Sequence, residues 1–110
     1  MTASVRSHVP VVHTPRTDIL TSDSSVTILV DLPAVRREDL RIQLERGVLF
    51  LDATEKTSEG AVRARHRRAI ALQHLIDPEG ITATLKDGVL TLELPRNAAD
   101  RPRTIPVVGT

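Results

Sequence analysis

The chain has 110 residues, with 15 Lys and Arg against 14 Asp and Glu. That is the length of one domain, and the net charge of +1 gives neither nucleic acid nor an anionic membrane a claim as an obligate partner. It contains no cysteine, which excludes a disulfide framework and a thiolate metal site, and its single aromatic is Phe50, so the interior must be built from Ile, Leu and Val. No apolar run approaches the roughly 18 to 20 residues that span a bilayer, and Met1 to Arg16 lacks the continuous apolar stretch of a signal peptide. A cytoplasmic protein without a membrane span is expected.

In chain order, residues 1 to 16 carry two prolines and no helical period, which predicts an extended or disordered arm, with the domain starting near Thr17. VTILVDL, 26 to 32, puts Val26, Ile28, Val30 and Leu32 on one face, the period of a half-buried strand, and Pro33 ends it. LRIQLE, 40 to 45, and VLFLDA, 48 to 53, flank Arg46-Gly47 and read as a hairpin. Thr54 to Gly60 is polar and predicts a loop; AVRARHRRAIAL, 61 to 72, returns to β-compatible alternation, and DPEG, 77 to 80, is a turn cluster.

The clearest local pattern is ITATLKDGVLTLELP, 81 to 95. Ile81, Ala83 and Leu85 alternate into Asp87-Gly88, a type I′ turn pair, and Leu90, Leu92 and Leu94 alternate out again. Pro95 closes that strand. Residues 96 to 110 are then an extension in which a charged linker leads to the apolar group Ile105-Pro106-Val107. Several short strands and no helical segment predict an all-β, immunoglobulin-like antiparallel sandwich over residues 17 to 95, with a flexible N-terminal arm and C-terminal tail.

DLPAVRREDL, the hairpin that follows it, and ATLKDGVLTLELP together resemble the α-crystallin domain of the small heat-shock proteins, including an Ala-x-x-x-x-Gly-Val-Leu signature at Ala83, Gly88, Val89 and Leu90. The tail group resembles that family's C-terminal Ile-x-Ile/Val motif. The resemblance implies an ATP-independent chaperone that holds partly unfolded client proteins, forms a homodimer and assembles into homo-oligomers. No Walker-type phosphate loop is present, and no cofactor is implied. In the family the tail motif fills a groove between two strands that correspond to LRIQLE and ITATLK, which makes Ile42, Leu44, Ile81, Ala83 and Leu85 the groove candidates. Pro106 lacks a donor and fixes φ, so it prearranges Ile105 and Val107 to point to one side. Val9-Pro10-Val11 in the arm nearly repeats this pattern and is a candidate competitor for the groove.

Three departures from the family pattern alter the expectation. The arm is short and free of aromatics, which predicts small oligomers. The Thr54–Gly60 loop is brief, which makes edge-to-edge pairing of the 61 to 72 strand a competing geometry to strand exchange between partners, and both stay open. Ala34 stands where the family commonly has Gly, which predicts a loop with no positive φ. The rival function is a partner-specific adaptor or co-chaperone, such as a gas-vesicle accessory protein.

Other chemistries fare worse. His8, His13, His66 and His74 are scattered without zinc-site spacing and are expected to be exposed or incidental. The serines of SDSS, 22 to 25, have no strand-turn-helix elbow, so an enzyme is not expected. Glu38 and Asp39 read as a solvated charge cluster. RARHRR, 63 to 68, is basic but has no aromatic for base stacking, which argues for a solvated strand edge or dimer rim rather than a nucleic-acid site.

Overall fold

The computed structural model describes residues 11–109. Its eight strands are β1 (Val11–His13), β2 (Thr17–Thr21), β3 (Ser25–Asp31), β4 (Val35–Glu45), β5 (Val48–Lys56), β6 (Val62–Ala71), β7 (Thr82–Lys86) and β8 (Val89–Pro95). They form two four-stranded sheets, in the orders β1-β6-β5-β4 and β2-β3-β8-β7. All pairings are antiparallel except β1 with β6, which is parallel and matches Val11 with Ala64 and His13 with His66. Short 3₁₀ turns at Pro78–Gly80 and Ala98–Asp100 flank the last hairpin. Among the described residues no helix is long and apolar enough to cross a membrane.

Alternation places the core. Val26, Ile28 and Val30 of β3 face the same way as Leu94, Leu92 and Leu90 of β8, to which they are directly paired. Leu49, Leu51 and Ala53 of β5, with Ile70 of β6, complete the buried cluster from the other sheet. Each Val, Leu or Ile of this cluster withdrawn from water contributes about 1.5–3 kcal/mol, and these cross-strand pairs explain why strands of ordinary length suffice without aromatic residues.

Two hairpin turns follow the sequence closely. Arg46 and Gly47 have φ of 51° and 77°, and Asp87 and Gly88 have 51° and 76°, the doubly positive backbone of type I′ turns. At Gly88 a further constraint applies: a Cβ there would lie 3.3 Å from the Pro33 Cα, and the Gly88 carbonyl accepts a 2.7 Å hydrogen bond from the Leu32 N–H. Glycine is therefore needed both for its left-handed backbone and for the close approach of the Leu32–Val35 turn.

Several expectations are corrected. Ala34 has φ of 61°; with Pro33 before it and a 3.3 Å bond from the Val35 N–H to the Leu32 carbonyl, it occupies the third position of a type II turn, where positive φ is required. Alanine tolerates this because the surrounding turn enforces it. Replacing Ala34→Gly removes about 1–2 kcal/mol of left-handed strain against a smaller entropic loss. The net gain expected is about 0.5–1 kcal/mol, read as a raised thermal unfolding midpoint; an unchanged or lower midpoint refutes it. Thr54 to Lys56 belong to β5 rather than to a loop, because Thr54 and Glu55 continue the ladder to Arg65 and Ala64. The connection that remains is closed by a bond from the Thr57 N–H to the Ala61 carbonyl. Residues 11 to 13, read as part of an arm, are paired to the middle of β6. His66, expected to be exposed, is buried, because the inward face of β6 carries it between Ala64 and Ile70.

Candidate functional site

The strands β4 and β7 end their respective sheets. Between them lies a cleft of about 170 Å³ lined by Arg37, Leu40, Ile42, Ala83, Leu85 and Leu90. Period-2 alternation along β4 aims Leu40 and Ile42 inward, and the same alternation along β7 aims Ala83 and Leu85 toward them. Leu90, fully buried, forms the floor, while Ala83 is exposed at the rim. A single methyl group at position 83 leaves the opening clear, as a longer side chain there would not.

Of the five groove candidates, Ile42, Ala83 and Leu85 line this cleft. Leu44 and Ile81 do not: they are half-buried and pack against the core. Arg37 and Leu40 were missed by the sequence reading. Leu40 is in phase with Ile42 and Leu44, a usable signal; Arg37 lies within the irregular stretch between Val35 and Leu40 where the register shifts, so simple alternation could not place it. Val89, next to the floor, is half-buried at the start of β8.

The tail group is not seated in this cleft. Ile105 is 79% exposed and Val107 93% exposed, and residues 101 to 109 carry no secondary structure and lie in solvent. Pro106 between them is exposed as well. Val11 of the arm sits on β6, three strands from β4 in the same sheet, roughly 14 Å away at the usual strand spacing. Val9 and Pro10 lie outside the described residues.

Two larger hollows lie over the β4–β5–β6 sheet, of about 490 Å³ around Phe50, Arg41, Asp52 and Arg67, and about 650 Å³ around Asp39, Thr54, Lys56 and Arg65. Their walls are charged and partly self-neutralised, with Lys56 2.7 Å from Asp39 and Arg67 3.7 Å from Asp52. The smaller cleft is the one whose apolar lining suits an extended Ile-x-Val ligand. The basic run divides by the same alternation: Arg63, Arg65 and Arg67 face outward, Arg63 bonds Glu55 at 2.7 Å, and Arg68 donates to the Pro15 carbonyl at 3.3 Å. Among the described residues no group of three His, Asp or Glu is placed to hold a metal ion.

Two carboxylates are held below their ordinary range. For Glu55 the hydrogen bond from Arg63 is the largest cause; desolvation opposes it, and the Arg63 charge and His66 add to it. For Asp100 desolvation is the largest single influence and acts upward, but hydrogen bonds and charges from Arg96 and His74 together outweigh it. A carboxylate depressed on folding stabilises the native state above its unfolded pKa, about 4, and that stabilisation is lost as pH falls through the depressed folded value. The unfolding midpoint is therefore expected to be insensitive to these two groups between pH 7 and 5 and to fall below about pH 4. In Glu55→Gln/Asp100→Asn the fall is shallower; an identical acid profile in that variant contradicts the assignment.

The fold, the cleft and the tail can be compared with known proteins. Residues 18–108 match the family model described as Hsp20/alpha crystallin family. The "Probable 15 kDa heat shock protein" of Leptospira interrogans is 31% identical over 90 residues, covering 74% of this chain and 69% of the relative. "Small heat shock protein C4" of Rickettsia felis is 28% identical over 103 residues, covering 84% of this chain and 63% of the relative. The crystal structure of a small heat-shock protein from Xylella fastidiosa superposes with a TM-score of 0.68 at 29% identity, covering 87% of this chain and 97% of that one. The sandwich is thus an α-crystallin domain, and the chain belongs to the Hsp20/alpha crystallin family of small heat-shock proteins, whose members are chaperones and not enzymes.

Proposed function

We propose that the protein is an ATP-independent holdase that binds partly unfolded clients and self-assembles by seating the Ile105-Pro106-Val107 group of one subunit in the β4–β7 cleft of another. The observation that carries this reading is the mismatch within one chain: the same chain presents an apolar cleft of suitable chemistry and an apolar peptide that leaves its own domain. An extended peptide that puts alternate side chains into such a cleft is a recurring mode of recognition. The family supports a chaperone role, and the Xylella fastidiosa relative is described with a distinct high order structure. The homodimer is the assembly unit we favour. Edge-to-edge pairing along all of β6 requires β1 to leave residues 64 to 66, where it is already bonded.

The same cleft is the surface we assign to clients when tails are undocked. The test compares native mass and suppression of heat-induced aggregation for the native chain and for Ile105→Ser/Val107→Ser. A fall to dimers with client suppression retained or raised supports the proposal. Equal masses reject the linking role, and no suppression of any model client by the native chain favours a partner-specific adaptor.

A further inference from the structure

We infer that Arg96 and Asp100 form an ionic latch that fixes where and in which direction the C-terminal tail leaves the domain, so that they are positioning residues for assembly. This rests on the tail-linking function proposed above. Arg96 is 9% exposed, the most deeply buried Lys or Arg among the described residues, and it lies just past the end of β8. Its guanidinium is used on every nitrogen. Nε donates to the Asp100 carboxylate at 3.1 Å, Nη1 to the Ser22 carbonyl at 2.8 Å, and Nη2 to the Asp100 carbonyl. Its backbone N–H donates to the Ser24 carbonyl at 2.8 Å, and its carbonyl accepts from Arg101 Nε at 3.3 Å.

Three segments distant in sequence therefore converge on one side chain: the β2–β3 turn, the 3₁₀ turn Ala98–Asp100 and, through Asp100, the β6–β7 connection. His74 Nδ1 lies 3.0 Å from the same Asp100 oxygen, and the Asn97 N–H donates to the Leu75 carbonyl at 2.6 Å. Asn97 itself caps the short turn by accepting from the Ala99 N–H at 3.0 Å. A 3₁₀ turn of three residues has too few bonds to persist alone; the fork of Arg96 holds it down, a geometry that Lys does not reproduce. Among the described residues past Arg101, 102 to 109, all are exposed and no side chain is hydrogen-bonded to the domain.

The latch changes the tail's reach. With Asp100 fixed, five residues to Ile105 span at most roughly 18 Å; with the latch open the backbone is still held at Asn97 by its bond to the Leu75 carbonyl, and the eight residues from there span roughly 29 Å. Effective concentration at a reachable groove falls as about the −3/2 power of linker length, so releasing the latch lowers it about twofold. The greater consequence is geometric. A short tether leaving at a fixed point reaches few neighbouring grooves and selects one assembly, whereas the longer tether, free in direction from Asn97 on, admits several.

The absence of cysteine allows a direct test, because spin labels at Ser24→Cys and Thr104→Cys attach nowhere else. In labelled subunits diluted into unlabelled native chain, the dipolar distance distribution is expected to broaden about 1.3-fold in Asp100→Ala, as the square root of the free tether length, and native mass spectra to pass from one dominant species to several. Asp100 lies in the extension, so this variant keeps the hydrophobic core; Arg96→Lys is the second variant and is expected to broaden both readouts to a smaller degree. Unchanged distances and masses in both variants, with assembly lost in Ile105→Ser/Val107→Ser, overturn the latch alone. Unchanged mass in Ile105→Ser/Val107→Ser overturns the linking function, and the positioning role with it.

Discussion

Leu92→Ala is expected to destabilise the domain by about 2–5 kcal/mol. Leu92 is fully buried at the centre of β8, paired to Ile28 and surrounded by side chains from both sheets. Truncation removes transfer energy and leaves a cavity that the flanking ladders cannot easily close, since β8 is bonded to β3 on one side and β7 on the other. A domain of this size has about 5–15 kcal/mol of stability in all. One substitution therefore consumes a large share of it and lowers the thermal midpoint by roughly 10–30 °C. The neighbour Thr91, half-buried, points to the other face, and Thr91→Ala is expected to cost no more than about 1 kcal/mol. Urea unfolding at fixed protein concentration measures both; similar losses in the two variants contradict the assignment of faces.

The second large effect separates assembly from folding. Ile105→Ser/Val107→Ser is expected to weaken tail docking by about 10²–10⁴-fold, because two aliphatic side chains that each contribute about 1.5–3 kcal/mol are lost at once. Ordering each tail residue costs about 1–2 kcal/mol, so even the native tail docks with little to spare and exchanges readily. Closed assembly depends on several tails acting together through effective concentration, and serine at both positions removes that reinforcement. Both residues are solvent-exposed on their own domain. The unfolding midpoint of a dissociated subunit should therefore move by less than about 0.5 kcal/mol in equivalent stability. Titration of a labelled 101–109 peptide against a chain ending at Arg103 gives the docking constant. Comparable affinity for the serine peptide refutes the role given to the motif.

The hairpins and the faces of β3 and β8 were legible in the sequence, as was the apolar character of the tail. Arg46-Gly47 and Asp87-Gly88 announce their turns, and Val26-Ile28-Val30 and Leu90-Leu92-Leu94 announce which side is inward. The cleft was legible only in part. Alternation showed that Ile42, Leu44, Ile81, Ala83 and Leu85 are apolar positions of two strands, but not which of them remain open between two sheet ends and which sink into the core. TDILT, which becomes β2, was passed over because at a sheet edge its alternation is weak and most of its side chains stay exposed. β1 was missed because three residues bonded to one neighbour have no period to read.

Ala34 and Arg96 mark the limit more sharply. An alanine after proline gives no local sign of φ at 61°; that angle is imposed by the turn that Gly88 abuts. An arginine in a charged linker reads as solvated, yet Arg96 is buried because carbonyl and carboxylate partners surround it, one of them 74 residues away. Strand periodicity, turn residues and the apolar tail were thus determined by the sequence alone, since they depend on backbone preferences acting over a few consecutive residues. The parallel seat of β1, the lining of the cleft and the latch at the root of the tail were decided only by tertiary structure, because each depends on which distant segments the packed sheets bring within hydrogen-bonding or van der Waals distance.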